Sequence, residues 1–135
     1  MKILYWTDVF IFIAFGAFIV SHEAWGARFF FGVVVATAGM ALSLLARAQL
    51  GRSFTIRAQA RRLVTTGLYS KFRHPIYLFR GIGFLGLFIA LGQWIPTLLF
   101  LLIYPLQILR ARKEEKILEQ AFGEEYRRYK AGTWF

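Results

Sequence analysis

Two apolar runs of 18 residues constrain the fold of this chain more than any other feature. Ile3–Val20 is apolar apart from Thr7 and Asp8, and Phe29–Ala46 contains no charged residue. A helix needs about 17–25 residues to cross a bilayer, so both runs are long enough. Hydrophobic residues make up 58% of the 135 residues, whereas a soluble domain averages about 45–50%. The sequence therefore predicts a single-domain, all-α membrane protein.

An apolar run at the start of a chain can also be a cleaved signal peptide. Here Lys2 alone is a weak charged start, Asp8 interrupts the run, and no clear Ala-x-Ala site follows. We therefore interpret Ile3–Val20 as the first membrane span. Asp8 then lies near the helix start, at the membrane interface.

A second helical hairpin is predicted in the later half of the chain. Pro75 suits the first turn of a helix, where its missing N–H costs nothing. Gly92 and Gln93 separate two apolar runs as a tight turn, and Pro105 should kink the last span. The four predicted spans are residues 3–20, 29–46, 76–91 and 94–109.

Two features of these spans concern helix packing and a charged residue inside the membrane. Gly32, Ala36 and Gly39 put small side chains near one face of the second span, which allows close helix contact. Arg80 falls one turn into the third span. It either extends to the membrane surface or contacts an anion, and the sequence leaves both interpretations open.

Basic residues are concentrated in two segments. The connection 47–73 carries seven and no acid, and the segment after residue 109 carries another seven. The 21–28 loop holds only Arg28, and the 92–93 turn holds none. The positive-inside rule then predicts a cytoplasmic 47–73 connection and cytoplasmic N- and C-termini. A net charge of +10 could suggest nucleic-acid binding, but basic residues crowded beside apolar runs favour a membrane surface.

The stretch Leu63–Tyr77 is the densest in polar, aromatic and turn-forming residues. His74 precedes Pro75, which pushes it out of the helical region and places it at the mouth of the third span. Short extended pieces are expected in the connection before it, at the membrane surface. The chain has no cysteine and only two histidines, so thiol chemistry is excluded and no metal site is expected.

Arg110–Lys130 is predicted to form one amphipathic helix resting on the membrane surface and covering the site. Its apolar residues recur at helical spacing: Ile117, Leu118, Ala121, Phe122, Tyr126 and Tyr129. Arg110 and Glu114 share a face, a pair that contributes about 0.2–0.5 kcal/mol at best. Taken alone, this pair could be one more exposed ion pair. The predicted topology places this pair and His74 together at the cytoplasmic end of the third and fourth spans.

These groups suit a small molecule that carries an anion, a cation and a ring. Turn N–H groups and His74 could hold a carboxylate, and Glu114 could accept from hydroxyls or an ammonium. Tyr69 and Tyr77 offer faces to a heteroaromatic ring or a sulfonium, although tyrosines here could equally be membrane-interface residues. From the residues alone, a non-catalytic module that binds anionic lipid is the alternative.

Five short motifs occur in order between about residues 28 and 130. They are Leu50-Gly51-Arg52-Ser53-Phe54, Leu63-Val64-Thr65-Thr66-Gly67-x-Tyr69, Arg73-His74-Pro75-x-Tyr77, Glu114-Glu115, and Phe122-Gly123-Glu124-Glu125-Tyr126-x-x-Tyr129. In this order the chain resembles the membrane methyltransferases that include isoprenylcysteine carboxyl methyltransferases and phospholipid N-methyltransferases. It departs from them at Leu68, where the family often has Pro, and at Phe79, where Gly is common.

The resemblance implies in-line methyl transfer from S-adenosylmethionine to an amphiphile that enters sideways from the bilayer. Arg110 and Glu114 would be catalytic, with Arg110 orienting an acceptor carboxylate of the prenylcysteine type. If the acceptor is instead a headgroup amine, Glu114 or Glu115 would take its proton. The implied cofactor-binding residues are Gln59, Leu63, Val64, Tyr69, His74, Pro75, Ile76, Tyr77 and Glu114.

Overall fold

The computed structural model describes residues 3–22, 25–51 and 63–134, and these ranges are built from helices and turns. The helices are α1 Ile3–His22, α2 Ala27–Leu50, α3 Pro75–Leu91, α4 Trp94–Ile103, α5 Leu106–Phe122 and α6 Glu124–Ala131, with a 3-10 turn at Gly67–Ser70. Extended pairing in the described ranges is limited to a bridge between Phe72 and Trp134. The all-α prediction is confirmed.

In the described ranges, two helical stretches are long and apolar enough to cross a membrane. They are α2 and the run Trp94–Phe122 formed by α4 and α5. The Val9–Phe18 part of α1 and the whole of α3 are apolar but shorter. Helices α1, α2 and α3 lie where the sequence predicts the first three apolar helices, except that α2 continues one turn beyond residue 46 and so includes Arg47.

The core of the described structure is the contact between α2 and α3. Gly32, Ala36 and Gly39 are buried in it, as the spacing of small residues predicts. A Cβ atom at Gly86 would overlap the backbone of Ala36, so the two helix backbones touch directly. Helix α1 joins this core, where Phe12 packs edge-on against Phe84 of α3.

The hairpin from α3 to α5 follows its proline and glycine residues. Gly92 adopts a left-handed conformation with φ of +65° and ends α3. The α-helical hydrogen-bond pattern stops at Tyr104 and Pro105, and the next amides bond three residues back, Gln107 to Tyr104 at 2.9 Å. This interruption lies at the proline that the sequence predicts as a kink. The Tyr104 hydroxyl donates to the Tyr77 carbonyl and ties α3 to this bend.

The prediction of a single helix over Arg110–Lys130 is wrong. Gly123, with φ of +52°, separates α5 from α6. Lys130 Nζ lies 2.8 Å from Glu115 Oε2, although 15 residues of straight helix would separate them by about 22 Å. The chain therefore reverses at Gly123, where a residue with a side chain would be strained, and α6 returns along α5.

Candidate functional site

The Gly67–Ser70 turn rests on the end of α2. Gln49 Oε1 accepts a hydrogen bond from the Leu68 amide at 2.8 Å. Gly67 has φ of +63°, and a Cβ atom there would overlap the Gln49 side chain. Glycine therefore meets both the conformational and the steric demand of this turn. The turn holds Tyr69 in a fixed position beside the start of α3.

Beneath this turn, Tyr69 and Ile76 are buried in a small apolar cluster with Ala46. Val64 is half-buried and packs against that cluster. Burial raises the pKa of Tyr69, and the nearby Tyr129 and Glu114 act in the same direction, so its hydroxyl stays protonated. Tyr69 and Ile76 thus form the apolar floor of the site, with Tyr69 within electrostatic reach of Glu114.

His74 lies between two carboxylates of α5. Its Nδ1 atom is 4.0 Å from Glu114 Oε2, and its Nε2 atom is 3.3 Å from Glu115 Oε1. Its φ of −126° and ψ of 56° are non-helical, as expected before Pro75, which begins α3. Burial lowers the pKa of His74 despite both acids, so the ring is neutral at pH 7.

The two adjacent acids differ in their surroundings. Glu114 Oε1 accepts from the Tyr77 hydroxyl at 2.6 Å, and Arg110 Nε lies 3.7 Å away. Glu115 accepts from Arg73 Nε at 2.8 Å and from Lys130 Nζ at 2.8 Å. Burial opposes its ionisation, but the hydrogen bond from Lys130 and the charge of Arg73 outweigh it and lower the pKa of Glu115. Glu115 is therefore held as an anion.

The chain after Gly123 clamps the loop that carries His74. The Tyr129 hydroxyl donates to the Tyr69 carbonyl at 2.7 Å, and the Trp134 amide donates to the Lys71 carbonyl at 2.7 Å. Arg73 reaches back to the carbonyl of Thr133 at 3.3 Å. Residues 69–73 are thereby held from both sides, which limits the positions open to His74.

Replacing Tyr129 with phenylalanine should weaken this clamp. It removes the hydrogen bond to the half-buried Tyr69 carbonyl, and such a bond contributes about 0.5–1.5 kcal/mol. Thermal unfolding in detergent should show a lower transition temperature. Tyr126→Phe is the matched control, because the Tyr126 hydroxyl is buried without a hydrogen-bond partner in the described ranges. Equal destabilisation by both variants would contradict this account of the clamp.

Four of the predicted site residues come together in the structure. They are His74, Tyr77, Arg110 and Glu114. Pro75 is fully buried behind His74. Leu63 is half-buried in the loop, and Gln59 lies outside the described residues. Arg80 is half-buried on α3, and its role stays a prediction.

Arg73 and Lys130 have no predicted role, and Glu115 is predicted only as an alternative base to Glu114. Arg73 belongs to the Arg-His-Pro-x-Tyr motif, and this position in the motif could have indicated a role for it. Lys130 has no comparable signal, because its contact with Glu115 depends on the reversal at Gly123. In the structure, Arg73 and Lys130 donate hydrogen bonds to Glu115, and Glu115 lies 3.3 Å from His74 Nε2.

His74, Tyr77, Glu114 and Glu115 form what we call the acidic cluster. An apolar cleft of about 210 Å³ opens beside it. Tyr77 belongs to both, and the cleft is lined by Tyr77, Leu78, Tyr104, Pro105, Gln107 and Ile108. A larger and more open groove of about 460 Å³ lies at the opposite end of the hairpin, beside Arg28 and Gly92. Among the described residues, its lining includes no acid or histidine, so the smaller cleft is the one that adjoins the described His74 and Glu114 side chains.

The described helices include two that are long and apolar enough to cross a membrane. His74, Tyr77 and Glu114 form a polar cluster beside them. These features define the class as a membrane protein with a polar site. The sequence model of the phospholipid methyltransferase family matches residues 27–125, and the chain belongs to this family. It is 36% identical over 98 residues to the protein-S-isoprenylcysteine O-methyltransferase of Schizosaccharomyces pombe. That match covers 68% of this chain and 42% of the relative, so the chain spans less than half of the relative's length. No solved structure matches the chain.

Proposed function

We propose that this protein is an S-adenosylmethionine-dependent methyltransferase acting on a membrane-associated amphiphile. The observation that carries the proposal is the meeting of three separate segments at one point. The loop before α3 supplies His74, α3 supplies Tyr77, and α5 supplies Glu114. Glu114 lies 4.0 Å from His74 and accepts a hydrogen bond from Tyr77 at 2.6 Å. Membership of a methyltransferase family supports the same conclusion.

The residues present fit a small cation with a polar tail and a ring. Glu114 would attract positive charge, while Tyr69 and Tyr77 supply aromatic surface beside it. Gln59, Leu63, Val64, Pro75 and Ile76 complete the proposed binding set. S-adenosylmethionine supplies a methyl group already activated by its sulfonium. The protein therefore needs mainly to hold the reacting partners in line and to exclude water.

A carboxylate acceptor on a lipophilic chain fits the rest of the site best. The apolar cleft beside Tyr77 could take part of the chain. The side chain of Arg110 is 61% exposed and sits 3.7 Å from Glu114, so it can turn to orient a carboxylate. An ionised carboxylate needs no general base. The fission-yeast relative is named an isoprenylcysteine O-methyltransferase, which agrees with this class of acceptor.

The family description favours a second acceptor, a phospholipid headgroup amine. An amine must lose a proton before or during transfer, so this acceptor needs a base. Glu115 is a poor base because the hydrogen bonds from Arg73 and Lys130 stabilise its carboxylate and so lower its affinity for a proton. Glu114, which faces Tyr77 and Arg110, would take that role.

The proposed topology has four spans, formed by α1, α2, α3 and the α4–α5 run as far as residue 109. The seven basic residues after residue 109 follow the last span directly. They support a cytoplasmic position for the C-terminal segment and for the acidic cluster. The methyl donor would then enter from the cytosol and the acceptor from the bilayer.

Two measurements test this function. Protein in detergent or nanodiscs should bind S-adenosylmethionine or its demethylated product in calorimetry. It should also transfer a radiolabelled methyl group to a species in total membrane extract. Release of the label by base identifies a methyl ester, whereas a base-stable label excludes an ester and is expected for an amine acceptor. Protein that binds anionic lipid vesicles but neither cofactor form would instead be a non-catalytic lipid-binding module.

Arg110→Gln separates the acceptor from the cofactor. For a carboxylate acceptor, this variant should retain cofactor affinity while the KM for the acceptor rises. Arg112→Gln is the matched control, since Arg112 is exposed on the same helix two residues away. Equal effects of the two substitutions on KM would remove Arg110 from the acceptor site.

A further inference from the structure

We propose that Gln107 is a specificity-determining residue for the methyl acceptor. Its side-chain amide would donate a hydrogen bond to a carbonyl oxygen that lies between the reacting group of the acceptor and its apolar chain. This role rests on the proposed function and specifies what the acceptor must carry besides a carboxylate or an amine. An amide or an ester linkage supplies such a carbonyl, whereas an ether linkage or a plain hydrocarbon chain does not.

Gln107 is the polar member of an otherwise apolar turn of α5. Its neighbours Leu106 and Leu109 are 60% and 54% exposed, as expected of side chains that face lipid. Gln107, in contrast, is half-buried and lines the apolar cleft beside Tyr77. Polar side chains inside an apolar span are energetically costly and mark functional positions. The inward position of Gln107 therefore points to a ligand in the cleft.

The side chain of Gln107 keeps its hydrogen-bonding groups for such a ligand. Within the described ranges, Gln107 bonds through its backbone amide, which donates to the Tyr104 carbonyl at 2.9 Å, and not through its side chain. The hydroxyls of Tyr77 and Tyr104, which line the same cleft, already donate to Glu114 and to the Tyr77 carbonyl. A side-chain amide has two N–H donors. Among the described lining residues, Gln107 thus has the side chain with donors left for the acceptor.

Helix geometry aligns Gln107 with the reacting end of the site. Residues three and seven positions further along a helix lie on the same face, so Gln107, Arg110 and Glu114 form one row on α5. With a rise of about 1.5 Å per residue, Arg110 lies about 4.5 Å and Glu114 about 10.5 Å beyond Gln107 along the axis. The row therefore runs from the apolar cleft to the acidic cluster.

This row can serve either class of acceptor. A carboxylate oriented by Arg110 would place an amide that adjoins it beside Gln107. An amine at Glu114 would place the ester carbonyls of a glycerolipid, which lie further from the reacting group, beside the same residue. The carbonyl is thus the feature that both acceptors share, and Gln107 recognises it independently of the group that receives the methyl.

Two matched pairs of acceptors test this role. N-acetyl-S-farnesylcysteine carries an amide next to its carboxylate, and S-farnesylthiopropionate lacks that amide. Diacyl phosphatidylethanolamine carries ester carbonyls, and its dialkyl ether analogue has none. In the pair that the parent methylates, KM should be about 3- to 10-fold lower for the carbonyl member, as expected of one neutral hydrogen bond. Equal KM values within that pair would overturn the proposal.

Gln107→Met isolates the hydrogen bond, because methionine keeps the length of the side chain but has no donor. KM for the carbonyl acceptor should rise by the same factor, while kcat and the KM of the matched analogue stay unchanged. Gln120→Met is the control, since Gln120 is exposed near the other end of α5. A similar rise for both members of the pair, or the same effect at Gln120, would contradict this role.

Thermal unfolding in detergent separates recognition from a structural role. The Gln107 side chain forms no hydrogen bond within the described ranges, so Gln107→Met should leave the unfolding temperature unchanged or slightly higher. A clear fall would show that Gln107 supports the helix packing instead, and would contradict the proposal.

Infrared difference spectra give a readout that needs no methyl transfer. A ¹³C-labelled carbonyl should absorb at lower wavenumber in the acceptor bound to the parent than in the acceptor bound to Gln107→Met or free in detergent, because a hydrogen bond weakens the C=O bond. A parent that shows this shift but transfers no methyl group contradicts the proposed function and leaves Gln107 as a ligand-binding residue. Binding without the shift, or no binding of either carbonyl compound, would overturn the role of Gln107.

Discussion

Gly86→Leu should prevent the stable packing of α2 against α3. Any Cβ atom at this position overlaps the backbone of Ala36, which cannot move aside as a flexible side chain would. The helices must separate along their whole contact, which contains the buried cluster of Phe29, Ala36 and Leu87. Overpacking costs typically 1–3 kcal/mol and more where no side chain can yield. We expect a loss of about 3 kcal/mol or more, seen as loss of monodisperse protein or a large fall in unfolding temperature in detergent.

Gly16→Leu is the matched control for this substitution. Gly16 lies on α1, and a Cβ atom there meets nothing within 4 Å. The same replacement should be neutral or slightly stabilising, because leucine favours a helix over glycine by up to about 1 kcal/mol. Equal tolerance of leucine at both positions would show that the α2–α3 contact is looser than described.

Glu114→Gln should abolish most of the affinity for S-adenosylmethionine. The substitution keeps the shape of the side chain and an acceptor for Tyr77, but it removes the negative charge beside His74. Hydrogen bonds to a charged group contribute about 1.5–3 kcal/mol, which corresponds to a loss of about 10- to 100-fold in calorimetry. His74→Ala should have a comparable effect.

Glu119→Gln tests whether any acid of α5 would behave in this way. Glu119 lies five residues further along the same helix and pairs with the exposed Arg127 at 2.9 Å. Its replacement should leave cofactor affinity unchanged. Unaltered affinity in both Glu114→Gln and His74→Ala would remove the proposed site, whereas an equal loss with Glu119→Gln would point to a general effect of net charge.

Much of this site could be predicted because its signals are local in sequence. Pro75 sets the start of α3 and the non-helical conformation of His74 before it. Glu114 lies one helical turn after Arg110, so their shared face follows from helix geometry. The resemblance in the motifs is confirmed by the family match over residues 27–125. Each of these inferences needs only neighbouring residues or the order of segments.

The amino-acid sequence by itself determined the helical class, the apolar segments and the candidate residues, because segment length, helical periodicity and proline–glycine placement act locally. The tertiary structure alone decided that α6 reverses at Gly123, that Lys130 meets Glu115, and which face of α3 the small residues of α2 touch. These contacts join residues far apart in the chain. They depend on one backbone torsion and on helix-to-helix register, neither of which a hydrophobic pattern records.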